Sequence, residues 1–308
     1  MKVNRRGNEL CIVSLADDQY AQHMSVTFVS VLMNLSLDVG VRFYVLSTGM
    51  SESNREKIVK SVEPFEAEVR FIQVDGSAYE SFDAMANGNR ETYLRMAIAD
   101  ALPSSVERVI CLDSDLIVTG DLMDLWGTDL NGRTVAAVTD QWAAVQCEAL
   151  GIPRGVYFNA GVLLIDLKRW REQEVSARAI AFIGANREKL QYHDQDGLNA
   201  VLHDDWLPLP PTWNAHTVII KEWSSSSPPA IVHYTGVCKA WHFDSIHPFK
   251  NEYYKYLRFT EWRDYRPEVN LKRSIKRATR PMMPVLERVL PSSAVTVLHK
   301  YKQRYLNS

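Results

Sequence analysis

Asp113 and Asp115 stand two residues apart directly after an apolar run, in the stretch Ile110-Cys-Leu-Asp-Ser-Asp-Leu-Ile-Val118. The run reads as a buried strand whose end delivers both carboxylates to one place. Two carboxylates desolvated together repel each other unless a cation lies between them. A hard divalent ion such as Mg²⁺ or Mn²⁺ meets that need, and it also binds the oxygens of a diphosphate. The plain alternative is a surface loop carrying two solvated acids.

Other residues have the right chemistry to complete such a site. His233 follows a second short apolar run, Ala230–Tyr234, with Gly236 and Lys239 close behind. Glycine allows close backbone approach to phosphate, and lysine offers it a point charge. Ala16-Asp17-Asp18 ends the first apolar run, where an open α/β sheet binds nucleotides; the same acids could cap a helix starting at Ala21. Asn159-Ala160-Gly161 reads as a tight segment before a strand, with small residues that leave room for a sugar ring. His193, Asp194, Asp196 and His203 suggest zinc, although their spacing suits it poorly. A strand ending in Asp-x-Asp also opens phosphatases with an aspartyl nucleophile. There it follows the first strand, with Thr or Val two residues after the second Asp; here Ile117 holds that place and the strand is the fourth.

The elements that must position these residues alternate. Strands are expected at Leu10–Ala16, Val41–Leu46, Val69–Val74, Val106–Leu112, Thr134–Thr139, Gly161–Leu167 and Ala230–Tyr234. Helices are expected at Ala21–Leu37, Ser51–Val62, Glu91–Leu102, Trp170–Gly184 and Gln195–Leu202. Strands separated by helices at this spacing predict an α/β fold with a mainly parallel, covered sheet.

Six separated blocks, in order, resemble one family. They are Ala16-Asp-Asp-Gln-Tyr20, Thr92-Tyr-Leu-Arg95, Leu112–Val118 running on to Gly120–Trp126, Tyr157–Trp170, His193-Asp-Gln-Asp196 with Leu198-Asn199, and His233–Trp241. Together they resemble the retaining glycosyltransferases of family 8, which include glycogenin and bacterial lipopolysaccharide galactosyl- and glucosyltransferases. The resemblance implies a single Rossmann-like, GT-A type nucleotide-sugar-binding domain over residues 1–245, and the change of pattern after it marks a helical, basic extension over 246–308. It implies a UDP-hexose donor (glucose or galactose), a glycan or glycolipid acceptor, and Mn²⁺ or Mg²⁺ held by Asp113, Asp115 and His233. Ala16, Asp17 and Tyr20 would hold uracil and ribose, though Gln19 stands where the family often has Asn. Arg95, Ser114, Gly236 and Lys239 would meet the diphosphate side of the donor, and Asp140, Asn159, Ala160 and Gly161 its sugar. Gln195 would lie close to the anomeric carbon, with Asp194 the other candidate for catalysis. A self-glycosylating primer protein and a non-catalytic sugar-nucleotide-binding module are the alternatives.

Composition narrows the rest. The 308 residues are 46% hydrophobic and 23% charged, with net charge −2, which argues against nucleic acid as the main partner. The charge is unevenly spread: residues 271–308 hold nine Lys or Arg against Glu287 alone. Such an arm is suited to docking on an anionic membrane surface, and a solvated tail is the alternative. The aromatics of 253–265 read either as a packed helical cap or as a lipid-facing element. Four cysteines without a C-x-x-C spacing suggest a reducing compartment. The apolar run near the N-terminus is too short for a secretory signal, and no stretch approaches the ~20 apolar residues of a membrane span. The expected location is cytoplasmic, peripheral on the inner face of the membrane.

Overall fold

The structure is a computed structural model that describes residues 9–36, 39–77, 90–141, 143–225, 227–236 and 239–269. The chain begins with β1 (Glu9–Leu15), α1 (Ala21–Asn34), β2 (Gly40–Ser47), α2 (Glu52–Val62) and β3 (Glu68–Gln73). It continues through a 3-10 stretch (Arg90–Ala97), α3 (Ile98–Ala101), β4 (Arg108–Leu112), β5 (Leu116–Val118), α4 (Leu122–Trp126), β6 (Val135–Thr139) and α5 (Ala144–Leu150). Then come β7 (Phe158–Asp166), α6 (Leu167–Glu172), α7 (Val175–Ala185), α8 (Asp194–Leu202), β8 (Trp206–Pro208), β9 (Ala215–His216), α9 (Thr217–Lys221), β10 (Ile231–His233) and α10 (Lys250–Leu257).

A seven-stranded sheet has the order β3-β2-β1-β4-β7-β6-β8, and a small second sheet the order β5-β10-β9. In the large sheet β3, β2, β1 and β4 are mutually parallel, and β7 runs against both β4 and β6. Both faces are covered, which is why the strands read as nearly continuous apolar runs. Alternation along β1 feeds two cores. Leu10 and Ile12 pack with Met24 and Phe28 of α1 and Ile58 of α2; Cys11, Val13 and Leu15 pack with Ile98, Trp170 and Leu198 on the other side.

Three expected elements differ. The helix expected at 91–102 is mostly 3-10, because Tyr93 through Ala99 are buried without a break and all-round packing overrides propensity. The helix expected at 170–184 is two helices, broken at Glu174, whose left-handed backbone (φ 51°) lets Trp170 Nε1 donate to Ser176 Oγ at 2.9 Å. The strand expected at 161–167 starts at Phe158, so Asn159-Ala160-Gly161 lies inside it rather than before it. Its register against β6 jumps from Ala137–Leu163 to Val138–Asn159. The bulge leaves residues 160–162 unmatched on that side and bends them toward the end of β4.

Residues 246–269 pack on the body. Tyr253, Tyr256 and Leu257 are buried with Val26 of α1, Val232 of β10, Tyr234 and Trp241. The Tyr253 hydroxyl meets Gln22 Nε2 at 3.1 Å and His23 Nδ1 at 2.7 Å, and Asn34 Nδ2 donates to Tyr256 Oη at 2.9 Å. The aromatic run thus forms a packed cap. The basic segment 271–308 lies outside the described residues, as does Cys238. Tyr253→Phe orphans buried partners on α1, so it should cost about 1–3 kcal/mol while leaving one cooperative transition. Calorimetry checks this, and a second, separate transition would mark the cap as an independent unit.

Candidate active site

The order of the large sheet reverses between β1 and β4, and the crevice at their carboxyl ends is where such sheets bind ligands. Asp17 follows β1 and Asp113 follows β4. The Asp113 N–H donates to Gly161 O at 2.9 Å, and Asp115 O accepts from Tyr234 N at 3.0 Å. The Asp-Ser-Asp turn is thereby tied on one side to β7 and on the other to the end of β10. Beneath it, Thr27 Oγ1 of α1 donates to Leu116 O at 2.7 Å and lies 3.4 Å from Ser114 O.

Antiparallel pairing of β5 with β10 sets His233 opposite Leu116, one residue past Asp115. His233 Nε2 lies 3.0 Å from Asp115 Oδ1 and 3.6 Å from Asp113 Oδ2. One ligand atom from each of Asp113, Asp115 and His233 falls within 4.8 Å of the others. Gly161 closes this cradle, because a Cβ there would sit 2.2 Å from His233 Cε1 and 2.8 Å from Asp113 Oδ2. Two carboxylates and an imidazole around such a space fit a divalent cation such as Mn²⁺. Burial alone would push the Asp115 carboxyl up, but Lys239 and His233 outweigh it and hold Asp115 well below the usual carboxylate range. Lys239 Nζ donates to Asp115 Oδ2 at 2.5 Å and to Tyr234 O at 2.9 Å.

Arg95 is buried and bridges two carboxylates: it donates to Asp113 Oδ1 at 2.5 Å and to Asp194 Oδ2. Burial opposes its charge, yet Asp194 and Asp113 raise its pKa above the ordinary arginine value. Burial likewise pushes the Asp194 carboxyl up to about 6 against the pull of Arg95. Asp194 opens α8, and Gln195 beside it is held at both ends. Its Oε1 accepts from Ala160 N at 2.9 Å, and its Nε2 donates to Tyr157 Oη at 3.2 Å.

The remaining expected residues fall around this centre. Asn159 Oδ1 accepts from Gly161 N and from Asn214 Nδ2. Asp140 directly follows β6, with its N–H on Tyr157 O. Ala16 is buried at the end of β1, and Tyr20 stands edge-on to Trp241. Asp17 Oδ1 accepts from Tyr20 N at 3.0 Å, closing the turn before α1, whereas Asp18 is spent on Ser51 and Asn54 at the start of α2. Gly236 has φ 79°, a left-handed backbone that favours glycine.

Among the described residues, His193, Asp194, Asp196 and His203 form no metal cluster. The Asp196 carboxylate is occupied by Tyr157 Oη at 2.5 Å and by the N–H groups of Gln191 and Tyr192. Those bonds secure a turn in which His193 takes φ 53°, ψ −116°. Sequence reasoning missed Asn214, which touches both Asn159 and His233. An asparagine after Pro210-Pro211 reads as an ordinary turn residue, and nothing local marks it otherwise.

The Glycosyl transferase family 8 model matches residues 11–245. The chain belongs to glycosyltransferase family 8. It is 34% identical over 275 residues to General stress protein A of Bacillus subtilis (strain 168), covering 84% of this chain and 96% of that protein. It is 26% identical over 267 residues to lipopolysaccharide 1,2-glucosyltransferase of Escherichia coli (strain K12), covering 82% and 78%. The galactosyltransferase LgtC, solved with donor and acceptor sugar analogues, superposes with a TM-score of 0.76 at 27% identity, over 87% of this chain and all of that one. The GT-A architecture is thus shared across a family 8 chain whose own crevice carries the acidic cluster.

Arg95→Met leaves Asp113 and Asp194 without their shared cation, and breaking a buried pair this way costs about 3–5 kcal/mol. Burial holds Asp194 at about 6 even with Arg95 pulling it down, so losing Arg95 raises it further, and the variant's extra cost is full at higher pH and fades as pH falls toward 6. Arg95→Met should therefore melt well below wild type at neutral pH, with the gap narrowing by about pH 5. A gap indifferent to pH contradicts the pairing.

Proposed function

We propose that this family 8 glycosyltransferase moves a hexose, glucose or galactose, from a UDP-sugar to a hydroxyl of a cell-surface glycan or glycolipid, with retention of configuration. The observation that carries this reading is the Asp113–Asp115–His233 cradle closed by Gly161, beside the buried Arg95–Asp194 pair. The likeness to a lipopolysaccharide glucosyltransferase and to a galactosyltransferase supports the choice of hexose and acceptor.

Bound there, Mn²⁺ or Mg²⁺ supplies Lewis-acid stabilisation of a diphosphate leaving group. The chain's own residues do the rest. Ala16, Asp17 and Tyr20 line the crevice for uracil and ribose. Ser114, Gly236 and Lys239 stand at the diphosphate, where Lys239 exchanges Asp115 for the charge that grows as the phosphate departs. Asp140, Asn159, Ala160 and Gly161 receive the sugar, and Arg95 orients Asp194 toward it. Gln195 is pinned between Ala160 and Tyr157, and an amide is a poor nucleophile. The Asp194 carboxylate is engaged by Arg95, which weakens it as a nucleophile. Both facts favour same-face attack, in which the departing phosphate oxygen takes the acceptor's proton, over double displacement. Burial removes Tyr253 and Tyr256 as acceptors for self-glycosylation.

Among the described residues no helix is long and apolar enough to cross a membrane. In this reading residues 1–245 form the catalytic domain. Within the extension 246–308, the basic stretch 271–308 docks it on the anionic cytoplasmic face of a membrane, where a lipid-linked acceptor is reached.

UDP release across a panel of UDP-sugars with Mn²⁺ tests the reading. Release should occur with a hexose donor, stop with a chelator, and be abolished by Asp113→Ala or Asp115→Ala with the fold retained. Either variant keeping more than about a tenth of the wild-type rate, a loss of only ~1.4 kcal/mol, would remove the ligand role.

A further inference from the structure

We infer that Asn214 is a positioning residue that fixes the tautomer of His233 and so presents a bare Nε2 lone pair to the cation; this rests on the metal role proposed for Asp113, Asp115 and His233. The assignment starts from a group whose polarity is beyond choice. The backbone N–H of Gly161 can only donate, and it points at the Asn159 side chain at 3.0 Å, so the atom there is the carbonyl Oδ1. The Asn214 amide lies 2.7 Å from that same oxygen, so it must present its amino group, Nδ2. The other end of the Asn214 amide is then Oδ1, an acceptor 2.9 Å from His233 Nδ1. Nδ1 must carry the proton. In a neutral imidazole that leaves Nε2 as a lone pair.

Nε2 is the atom that faces Asp115 Oδ1 at 3.0 Å and Asp113 Oδ2 at 3.6 Å. Three acceptors therefore converge on one point, an arrangement that a bound cation relieves. The relay is dry: Asn214 is 0% exposed, His233 3% and Asn159 9%. Water has little room to stand in for a lost partner. The polarity of a metal-binding atom is thus set by a backbone N–H of β7, through two asparagines. Gly161 serves twice, by excluding a Cβ from the cradle and by anchoring the relay. Outer partners of this kind typically contribute ten- to a hundredfold in metal affinity.

Two readouts without donor or acceptor test this. The first is nitrogen-15 spectroscopy of the imidazoles in metal-free protein, with His233 assigned by its loss in His233→Gln. The expected pattern is a protonated Nδ1, and a bare Nδ1 in wild type overturns the inference even if every variant misfolds. The second is Mn²⁺ binding, read from the paramagnetic signal of the free ion. Asn214→Leu should bind Mn²⁺ about ten- to a hundredfold more weakly. In folded Asn214→Leu the His233 nitrogens should no longer show the proton fixed on Nδ1. Wild-type affinity in a folded Asn214→Leu overturns this inference alone. No Mn²⁺ binding by wild type overturns the metal reading, and this inference with it.

Discussion

Three carboxylates, Asp113, Asp115 and Asp194, are drawn into one sheltered end of a sheet, and the rest of the site answers their repulsion. Their environment is poor in water, so like charges there interact far more strongly than at the surface. Arg95 and Lys239 supply two cations, one between Asp113 and Asp194 and one on Asp115. His233 contributes no compensating charge when neutral. One negative charge is left over at the point where the two Asp-x-Asp carboxylates meet the imidazole. A divalent ion reverses that balance, and the resulting positive site complements a diphosphate.

That electrostatic problem explains several features of the backbone. The bulge in β7 brings Gly161 against Asp113 and His233, which no residue with a side chain could approach as closely. The 3-10 stretch sinks Arg95 into the core, where a surface arginine would be too well hydrated to hold two acids. The second sheet is little more than a clamp: β5 follows the Asp-x-Asp directly, and its pairing with β10 delivers His233. The α10 cap closes over the same small sheet and over α1. Its tyrosines hold Gln22, His23 and Asn34, and His23 stacks on Trp241 at 3.5 Å. The cap thus supports the wall of the crevice.

The sequence made Asp113 and Asp115 legible because an apolar run and two acids are contiguous, and their placement follows from strand periodicity alone. His233, Arg95 and Asp194 lie far apart in the chain, and only their resemblance to family motifs connected them. Asn214 was illegible for a physical reason: its meaning lies wholly in contacts with Asn159 and His233, which no local pattern encodes. The start of β7 was misread for a related reason. Asn, Ala and Gly are weak strand formers, and it is the pairing of Phe158 and Asn159 with Thr139 and Val138 of β6, past the bulge, that starts the strand at Phe158. The buried aromatics of α10 could not be told from a lipid-facing set, since composition does not say which side of a helix meets the body.

In the proposed reaction this convergence of carboxylates holds a divalent cation under a nucleotide diphosphate. Crystals grown with Mn²⁺ and UDP, measured for anomalous scattering from manganese, address it most directly. The expected result is one strong peak in direct contact with Asp113, Asp115 and His233 Nε2, also touching the diphosphate. A peak bound elsewhere, or UDP seated in the crevice with no metal between it and the two aspartates, would contradict it.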